Sequence, residues 1–312
     1  MDTVVLSSQD ALAAAGPRYL IGVDGGGTGT RVRLADAEGR LLGQGEAGPS
    51  ALGQGAEQAW RNVSQAVAAA AAQAGIERLD PAQCAIGLGL SGVSIQAQAQ
   101  RFLDTQPGYA LLALDSDGWT TVLGAHGGQP GLVIAAGTGA IGEALRRDGT
   151  RAVSSGWGWI GGDEGSGCWL GLKAIAHVQE TLDGRAAEGA LARAVKAVAG
   201  SERVSILSWK AAAGQTGFAA LAPRVFETAE ADPVSARFVA EASAELQKLA
   251  AALDPQGELP LALSGSIARR MEAHFPAALR SRCVPVQGDS AAGGLLLARQ
   301  ALAEKRTQGR QQ

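Results

Sequence analysis

Residues 24 to 30 read Asp-Gly-Gly-Gly-Thr-Gly-Thr and directly follow an apolar run, Tyr19 to Val23. Glycines let the backbone turn tightly and bring several N–H groups close to a phosphate without a side chain in the way. Thr28 and Thr30 add hydroxyl donors, and Asp24 suits a magnesium ion that keeps most of its water ligands. A glycine-rich hairpin turn is the plain alternative. A P-loop is excluded, because no Gly-Lys-Ser/Thr follows and the next element is a strand.

Two further glycine-containing segments are of a size that could bind a phosphate. The first is Gly137-Thr138-Gly139, which lies between two predicted strands in the second half of the chain. Two such turns in equivalent places of two halves could hold the two ends of a polyphosphate. The second is Ser264-Gly265-Ser266, where a helix terminus could meet a nucleotide. A simple N-cap explains the same three residues, and the local sequence favours it.

Asp115-Ser116-Asp117 stands at the end of another predicted strand. Carboxylates at the carboxyl end of a strand in an open α/β sheet project into the crevice where ligands bind. One of them could orient and deprotonate a hydroxyl that attacks a γ-phosphate. Alternatively, Asp115 or Asp117 caps the helix that begins near Trp119, and one of the two is expected to do so.

Residues 156 to 166 read Gly-Trp-Gly-Trp-Ile-Gly-Gly-Asp-Glu-Gly-Ser. Aromatic faces and acids on a flexible backbone suit a sugar, which has apolar C–H faces and polar hydroxyls. The alternative is that the tryptophans pack in the core and the acids cap a helix.

These motifs lie on a predicted α/β chain in which each half opens with a strand, a glycine-rich turn, a strand, a turn and a strand. The first half has the order β-β-β-α-β-α-β, and the second half repeats its opening. Two related halves predict two domains with a cleft between them. The predicted strands are Tyr19–Val23, Thr30–Asp36, Arg40–Glu46, Cys84–Leu90, Ala110–Leu114, Gly131–Ala136, Ile141–Arg147, Leu259–Leu263 and Arg282–Val286.

Composition excludes several other classes of function. The chain has 312 residues, 27 basic and 30 acidic, and its net charge of −3 argues against a nucleic-acid partner. Its three cysteines form no disulfide framework and no Cys-x-x-Cys pair, which indicates a reducing cytoplasm and no structural zinc. The chain has only three histidines, which argues against a histidine-dependent metal site or a hydrolase triad.

The two ends of the chain and its apolar stretches predict no targeting or membrane segment. Met1 to Ala15 carries two aspartates and no basic start, unlike a signal peptide. The apolar stretches are shorter than the ~20 residues that a membrane span needs. We expect a cytoplasmic protein without a membrane partner. Glu304 to Gln312 is polar and lacks periodicity, so a frayed tail is expected there.

In their joint order, these motifs resemble the actin-like ATPase and sugar kinase superfamily. Within it the chain is similar to the bacterial glucosamine kinase and N-acetylglucosamine kinase group, related to BadF/BadG/BcrA/BcrD-type ATPases. The resemblance runs from Tyr19 to about Ala301. Its motifs are Gly22–Thr28, Asp117 with Gly124-Ala125, Ala136–Gly139, Gly156–Gly158, Gly162–Ser166, Glu227 with Asp232-Pro233, Ser264–Ala268 and Gly288–Gly294.

The resemblance implies two ribonuclease-H-like domains, 17–117 plus 290–312 and 118–289, that close around ATP and an amino sugar. Asp117 would be the general base for the 6-hydroxyl of the sugar, and Asp24 would hold Mg²⁺. The implied nucleotide-binding residues are Gly25, Gly26, Gly27, Thr28, Gly137, Thr138, Gly139, Gly265 and Ser266. The implied sugar-binding residues are Asp117, Gly156, Trp157, Gly158, Asp163 and Glu164.

Two departures from this family bear on specificity. The family places a sugar-binding asparagine in the loop after the third strand, where Gly48 to Leu52 offers none. Ala140 stands where a serine is common in the second turn, which removes one hydroxyl donor. The choice between glucosamine and N-acetylglucosamine stays open, and Leu123–His126, Ser208-Trp209 and Gly265–Ala268 lean toward the glucosamine kinases. Many relatives are dimers, so the resemblance leaves a homodimer open.

Two other functions compete with a kinase. An ATPase that activates a partner enzyme through an iron–sulfur cluster would need cysteines at a subunit interface, whereas Cys84, Cys168 and Cys283 sit in or beside predicted core elements. A non-catalytic sugar sensor would carry a helix-turn-helix arm before the core. Met1 to Pro17 is too short and too acidic for such an arm.

Overall fold

The computed structural model describes residues 3–7 and 16–309, which form ten strands and eleven α-helices. The strands are β1 (Val4–Ser7), β2 (Tyr19–Gly25), β3 (Thr30–Asp36), β4 (Leu41–Ala47), β5 (Cys84–Leu90), β6 (Leu111–Asp115), β7 (Gly131–Ala136), β8 (Ala140–Leu145), β9 (Arg151–Ser155) and β10 (Leu261–Ser264). The helices are α1 (Ala56–Gln73), α2 (Gln96–Asp104), α3 (Asp117–Ala125), α4 (Gly167–Leu182), α5 (Ala190–Ala199), α6 (Arg203–Ala219), α7 (Ala222–Thr228), α8 (Pro233–Leu253), α9 (Ser266–Met271), α10 (Ala277–Arg280) and α11 (Ser290–Gly309).

The chain divides into two compact units, residues 1–129 with 286–312 and residues 130–285. The final helix α11 therefore belongs to the same unit as the N-terminal strands. The domain boundaries expected from the sequence, at residues 117 and 290, remain a prediction.

The first unit is built on a six-stranded sheet in the order β1-β6-β5-β2-β3-β4. Strands β2, β5 and β6 run parallel, and β3 and β4 complete an antiparallel meander. Every residue of β5 and β6 is buried, as expected for parallel strands covered on both faces. Helix α1 approaches β4 closely because β4 carries glycines: a Cβ on Gly45 would lie 2.1 Å from the Ala66 carbonyl oxygen.

The second unit repeats this scheme on a smaller sheet in the order β10-β7-β8-β9. Strands β7, β8 and β9 are antiparallel neighbours, and β10 adds parallel to β7. The predicted repetition of strand, turn, strand, turn, strand is therefore confirmed. On α8, the leucines at spacings of three and four, Leu246, Leu249 and Leu253, are buried and face the core of this unit.

Three expectations about elements were wrong or incomplete. Strand β1 was not predicted, and it adds antiparallel to β6 with Val4 opposite Leu114. The predicted strand Arg282–Val286 is only an isolated bridge between Cys283 and Leu261, made by the Leu261 N–H to the Arg282 carbonyl and the Val284 N–H to the Leu261 carbonyl (2.9 Å each). The supposed tail from Glu304 continues α11 to Gly309, since glutamate, lysine and arginine favour helices.

Some predictions fall partly or wholly outside the described residues: those on Met1–Ala15, Met1–Pro17 and residues 310–312. Within the described ranges, no helix has the length and apolarity to cross a membrane. Cys84 and Cys168 are buried and Cys283 is half-buried, as their predicted core positions imply.

Candidate active site

The first glycine turn joins β2 to β3 and is held by backbone hydrogen bonds within itself and from the loop after β4. The Gly26 N–H donates to the Gly29 carbonyl (3.0 Å), and the N–H groups of Ser50 and Ala51 donate to the Gly26 carbonyl (3.1 Å each). The Thr30 hydroxyl, expected to be a phosphate donor, is buried and bonds to the loop after β4, at the Gly48 carbonyl (2.6 Å) and the Ser50 hydroxyl (2.7 Å). Thr28 is exposed, so it is the threonine that can donate outward.

A cavity of about 340 Å³ borders this turn. Its lining residues are Asp24, Gly26, Thr28, Gly29, Thr30, Arg31, Glu46 and Ala47. The Arg31 guanidinium lies 3.8 Å from the Asp24 carboxylate. The cavity therefore combines backbone turn, carboxylate and cation within the first unit, a setting suited to a phosphate with its counter-ion.

Asp24 and Asp117, predicted from two distant motifs, lie near each other. Burial raises the pKa of the Asp24 carboxyl, as does the charge of Asp117, while a hydrogen bond from the Ser290 hydroxyl opposes the rise. Burial also raises the pKa of Asp117, against a hydrogen bond from the Gly118 N–H (3.0 Å). Two neighbouring carboxyls whose pKa values are both raised by burial are typical of functional positions.

Asp115 has a different environment from Asp117. It is buried and accepts hydrogen bonds from the Thr3 hydroxyl (2.6 Å) and the Ser116 N–H (2.7 Å). The expectation that one of the two aspartates caps the following helix is wrong. Ser116 is the N-cap of α3, and its hydroxyl accepts from the Trp119 N–H (3.0 Å). Asp117 is therefore the first residue of the helix, and its carboxylate does not cap it.

The second glycine turn, in the second unit, contacts the start of α4. The N–H groups of Gly167 and Cys168 donate to the carbonyls of Gly137 (2.7 Å) and Thr138 (3.1 Å). Gly265 presses against the same turn, because a Cβ there would lie 2.3 Å from the Ala136 carbonyl oxygen. The structure thus brings the second and third predicted phosphate turns together.

The cap interpretation of Ser264-Gly265-Ser266 needs correction. Gly265 itself occupies the N-cap position of α9 at φ +88°, and no side chain caps the helix. Ser266 is exposed at the first helical position. A glycine is required here both by the positive φ and by the contact with the second turn.

The two tryptophans of the loop from Gly156 to Ser166 have different environments. Trp159 packs against Phe218 with ring centroids 6.0 Å apart, whereas Trp157 is 87% exposed. The acids do not cap α4, since the Ser166 hydroxyl accepts from the Trp169 N–H (3.1 Å). Core packing, the alternative to a sugar-binding role, is therefore correct for Trp159 but not for Trp157. Helix capping by Asp163 or Glu164 is wrong.

Asp163 ties this loop to the second turn. Its carboxylate is buried and accepts from the N–H groups of Gly158 (3.2 Å) and Ala140 and from the Gln215 amide (3.3 Å). Burial raises the pKa of Asp163, and the nearby charge of Glu164 adds to the rise. Gly156, Gly158 and Asp163 all have positive φ, so the loop conformation depends on these positions.

Sequence reasoning assigned no role to Arg33, Asp289 or Ser290, which border the carboxylates of the first unit. Arg33 donates two hydrogen bonds to the Asp289 carboxylate, at 2.8 and 2.9 Å. Burial raises the pKa of Asp289, but the hydrogen bonds and charge of Arg33 outweigh it and hold the pKa below its usual value. Asp289 and Ser290 lie in Gly288–Gly294, one of the motifs that resemble the family. That motif was the available signal for these two residues, but no role had been attached to it.

Comparisons with known proteins place these motifs in context. A model of the BadF/BadG/BcrA/BcrD ATPase family matches residues 21–288. The glucosamine kinase of Vibrio cholerae is 30% identical over 281 residues, which cover 90% of this chain and 95% of that protein. The N-acetyl-D-glucosamine kinase of Dictyostelium discoideum is 26% identical, covering 86% and 95%.

Among solved structures, a candidate N-acetylglucosamine kinase from Chromobacterium violaceum is 47% identical, covers 90% of this chain and 99% of its own, and superposes with a TM-score of 0.84. The α/β fold expected for the actin-like ATPase and sugar kinase superfamily is thereby confirmed.

Proposed function

Because the chain belongs to the BadF/BadG/BcrA/BcrD ATPase family, we propose that it is an ATP-dependent kinase that phosphorylates the 6-hydroxyl of an amino sugar. The observation that carries the proposal is Asp117, placed at the start of α3 beside Asp24 and the first glycine turn. The names of the relatives, glucosamine kinase and N-acetyl-D-glucosamine kinase, support the substrate class.

Asp117 is the candidate general base. In its ionised form the carboxylate accepts the proton of the 6-hydroxyl as the oxygen attacks the γ-phosphorus of ATP, and ADP leaves. Burial raises the pKa of this carboxyl, which makes it a stronger proton acceptor than an exposed aspartate. Positioning of the hydroxyl by this carboxylate supplies a further part of the rate, because the two reacting groups are held together.

Asp24 is the candidate residue for magnesium. The oxygen donors at the first turn, the Asp24 carboxylate and the exposed Thr28 hydroxyl, are of the hard type that Mg²⁺ prefers. In the described part of the chain, no three His, Cys, Asp or Glu side chains are grouped for a metal. One carboxylate with water and phosphate oxygens is a usual set for Mg²⁺, so the residues fit. When bound, the ion would neutralise charge on the β- and γ-phosphates.

Glucosamine is the proposed preferred acceptor. Asp163 and Glu164 place two acids on the loop that carries the exposed Trp157. A protonated amine is attracted by such carboxylates, whereas a neutral acetamide is not. The loop before α1 lacks the amide of the family asparagine, and its Ser50 hydroxyl is bonded to Thr30. Homodimer formation and a cytoplasmic location stay predictions.

Initial rates of ADP release test the proposal. Purified protein is mixed with ATP, Mg²⁺ and glucosamine, N-acetylglucosamine, mannose or glucose, and the product is examined by ³¹P NMR for a 6-phosphate. We expect the highest kcat/KM with glucosamine. Failure of every sugar to stimulate ADP release would refute the kinase, while higher efficiency with N-acetylglucosamine would refute the preference alone.

A further inference from the structure

Gln215 of α6 bonds to the buried acid of the loop from Gly156 to Ser166. Its side-chain amide donates to one oxygen of the Asp163 carboxylate (Nε2–Oδ2 3.3 Å), and the Gly158 N–H donates to the other oxygen (3.2 Å). Gln215 lies 52 positions after Asp163 and belongs to none of the motifs identified in the sequence. The carboxylate is therefore held at both oxygens, once by its own loop and once by a distant helix.

The same amide borders the second glycine turn. A Cβ on Gly139 would lie 2.6 Å from the Asp163 carboxylate and 3.4 Å from the Gln215 amide nitrogen. All three residues belong to the second unit. Because no side chain fits at Gly139, Asp163 and Gln215 pack directly on the backbone of the turn. Gln215 thus lies where the candidate sugar loop meets the candidate phosphate turn.

The position of Gln215 depends on a break in α6 at the preceding residue, Gly214. This glycine has φ +54° and ψ −172°, outside the helical range, so α6 is kinked there. A Cβ at Gly214 would meet no atom within 4 Å, so space does not require a glycine, whereas the positive φ does. A glycine inside a helix lowers stability. Its presence here is therefore explained by the break itself, which directs the next side chain toward Asp163.

The part of α6 after the break is fixed against α4. A Cβ on Gly171 of α4 would lie 1.8 Å from the Phe218 carbonyl oxygen, so the two backbones are in direct contact. The Phe218 ring contacts Trp159 of the loop and Trp209 of the part of α6 before the break, with centroids 6.0 and 5.4 Å apart. Gln215 is therefore carried by a firmly packed segment, which a side chain needs if it is to orient another one.

Asp163 needs a second donor for two reasons. Its φ of +55° is one that non-glycine residues rarely adopt, and such a conformation persists only when surrounding contacts enforce it. Burial also disfavours the ionised carboxylate and raises its pKa. A hydrogen bond from an amide opposes both effects, because it restrains the side chain and favours the charged form.

From this geometry we infer that Gln215 is a positioning residue for the acceptor sugar, which holds the Asp163 carboxylate in the orientation that binds the substrate. The inference rests on the proposed kinase function. Gln215 acts through Asp163, whose contact with the sugar is the same before and during phosphoryl transfer. Loss of the amide should therefore raise the KM for the sugar and leave kcat and the KM for ATP unchanged.

The test replaces Gln215 by methionine, which has a similar length and no N–H donor. We expect Gln215→Met to raise the KM for the preferred amino sugar about tenfold, the lower end for loss of a hydrogen bond to a charged group, with kcat and the KM for ATP within about twofold of wild type. If this variant does not fold by circular dichroism, Gln215→Asn, whose shorter side chain withdraws the amide from Asp163, should show the same rise.

The matched control is Gln247→Met, which removes another half-buried amide donor of the second unit, bonded to the Ser243 hydroxyl (3.1 Å). It should change none of the three constants. An equal rise in the sugar KM of Gln247→Met and Gln215→Met would mean that the effect comes from general destabilisation, and would overturn the inference.

A double-mutant cycle tests whether Gln215 acts through Asp163. Asp163→Gly removes the carboxylate and keeps the positive φ without strain. Calorimetric titration with the sugar, in the absence of nucleotide, gives the Kd of wild type, both single variants and the double variant. We expect the rise in Kd caused by Gln215→Met to vanish, within about twofold, when Asp163 is already glycine. Additive effects would mean that Gln215 acts by another route, and would overturn the inference.

The remaining outcomes separate this inference from the proposed function. An active wild type whose Gln215→Met variant matches it in the KM and Kd for the sugar refutes the inference alone. A higher KM for ATP with an unchanged sugar KM would assign Gln215 to the second glycine turn and would also overturn it. A wild type without sugar-stimulated ADP release refutes the proposed function, and the inference then fails with it.

Discussion

Replacement of Asp117 by asparagine separates its chemistry from its structure. The amide oxygen of the introduced asparagine can still accept the Gly118 N–H bond that the carboxylate accepts at 3.0 Å, and Ser116 still caps the helix. Only the charge and the capacity to take a proton are lost. General base catalysis contributes about 10²- to 10⁴-fold, so kcat should fall by that factor, equivalent to about 3 to 5 kcal/mol in the barrier.

Thermal stability should move in the opposite direction from activity. Because burial raises the pKa of Asp117 above its ordinary 3.8, the folded state binds the proton more tightly than the unfolded state. Stability therefore falls as pH rises from the unfolded pKa through the folded one, and stays lower at neutral pH. Asparagine has no charge to desolvate, so Asp117→Asn should raise the Tm at pH 7.

The assay measures kcat by coupled ADP release and Tm by differential scanning fluorimetry, with Asp115→Asn as the matched control. The Ser116 N–H and the Thr3 hydroxyl donate to different oxygens of Asp115, and the asparagine of that control keeps only one acceptor oxygen, so the variant loses one of these two bonds. Because neither bond involves Asp117, the variant should keep kcat within severalfold. The wild-type rate should fall as pH is lowered through the raised pKa of Asp117. A near-normal kcat in Asp117→Asn, or an equal loss in both variants, would remove Asp117 from its proposed role.

Three further variants or measurements test other parts of the structure. Trp157→Ala should leave the Tm unchanged and raise the sugar KM about tenfold, ~1.4 kcal/mol of lost aromatic contact, whereas the likewise exposed Val204→Ala should change neither. Gly293→Ala should cost about 1 to 3 kcal/mol of unfolding free energy by overpacking, measured in urea, while Gly53→Ala, whose nearest neighbour atom would be 3.8 Å from the Cβ, should cost less than ~0.5 kcal/mol. Alkylation by iodoacetamide at pH 8, followed by mass spectrometry, should modify the half-buried Cys283 first. Burial raises the pKa of all three thiols, but Cys84 and Cys168 are also closed to the reagent, and their pKa values are raised to about 12 and about 11.

The strands that the sequence predicts best are those bounded by residues with strong turn preferences. Cys84–Leu90 and Gly131–Ala136 have the predicted limits because continuous apolar runs end there at Ser91 and at Gly137. Strand β1 has only four residues, too few to show a pattern of its own, and it is stabilised by pairing with β6, more than a hundred positions away. A short edge strand of this kind depends on its partner and not on its own pattern.

At the candidate site, the order of the motifs predicted the functional aspartates but not the residues that bond to them. The Arg33 bond to Asp289 joins residues 256 positions apart, and a pairing at that distance leaves no periodic trace in one sequence. Local chemistry was also misassigned at Ser116, where a serine flanked by two aspartates is the cap. Serine and aspartate both cap helices well, so only the backbone geometry decides among the three residues.

The sequence predicts that the glycines lie in turns that approach phosphate or sugar, and some of them do lie in such turns. Gly22, Gly87 and Gly124, however, lie inside regular elements where a Cβ would meet the backbone of α11 or the residue before it at 2.0 to 2.1 Å. Each of these glycines costs conformational entropy, roughly 0.5 to 1 kcal/mol relative to alanine, for a contact that no side chain permits. Such contacts restrict the position of a helix closely, because backbone atoms cannot change rotamer to relieve a shift. These backbone contacts lie where α11 begins, against β2, which ends beside Asp24, and against the helix that carries Asp117.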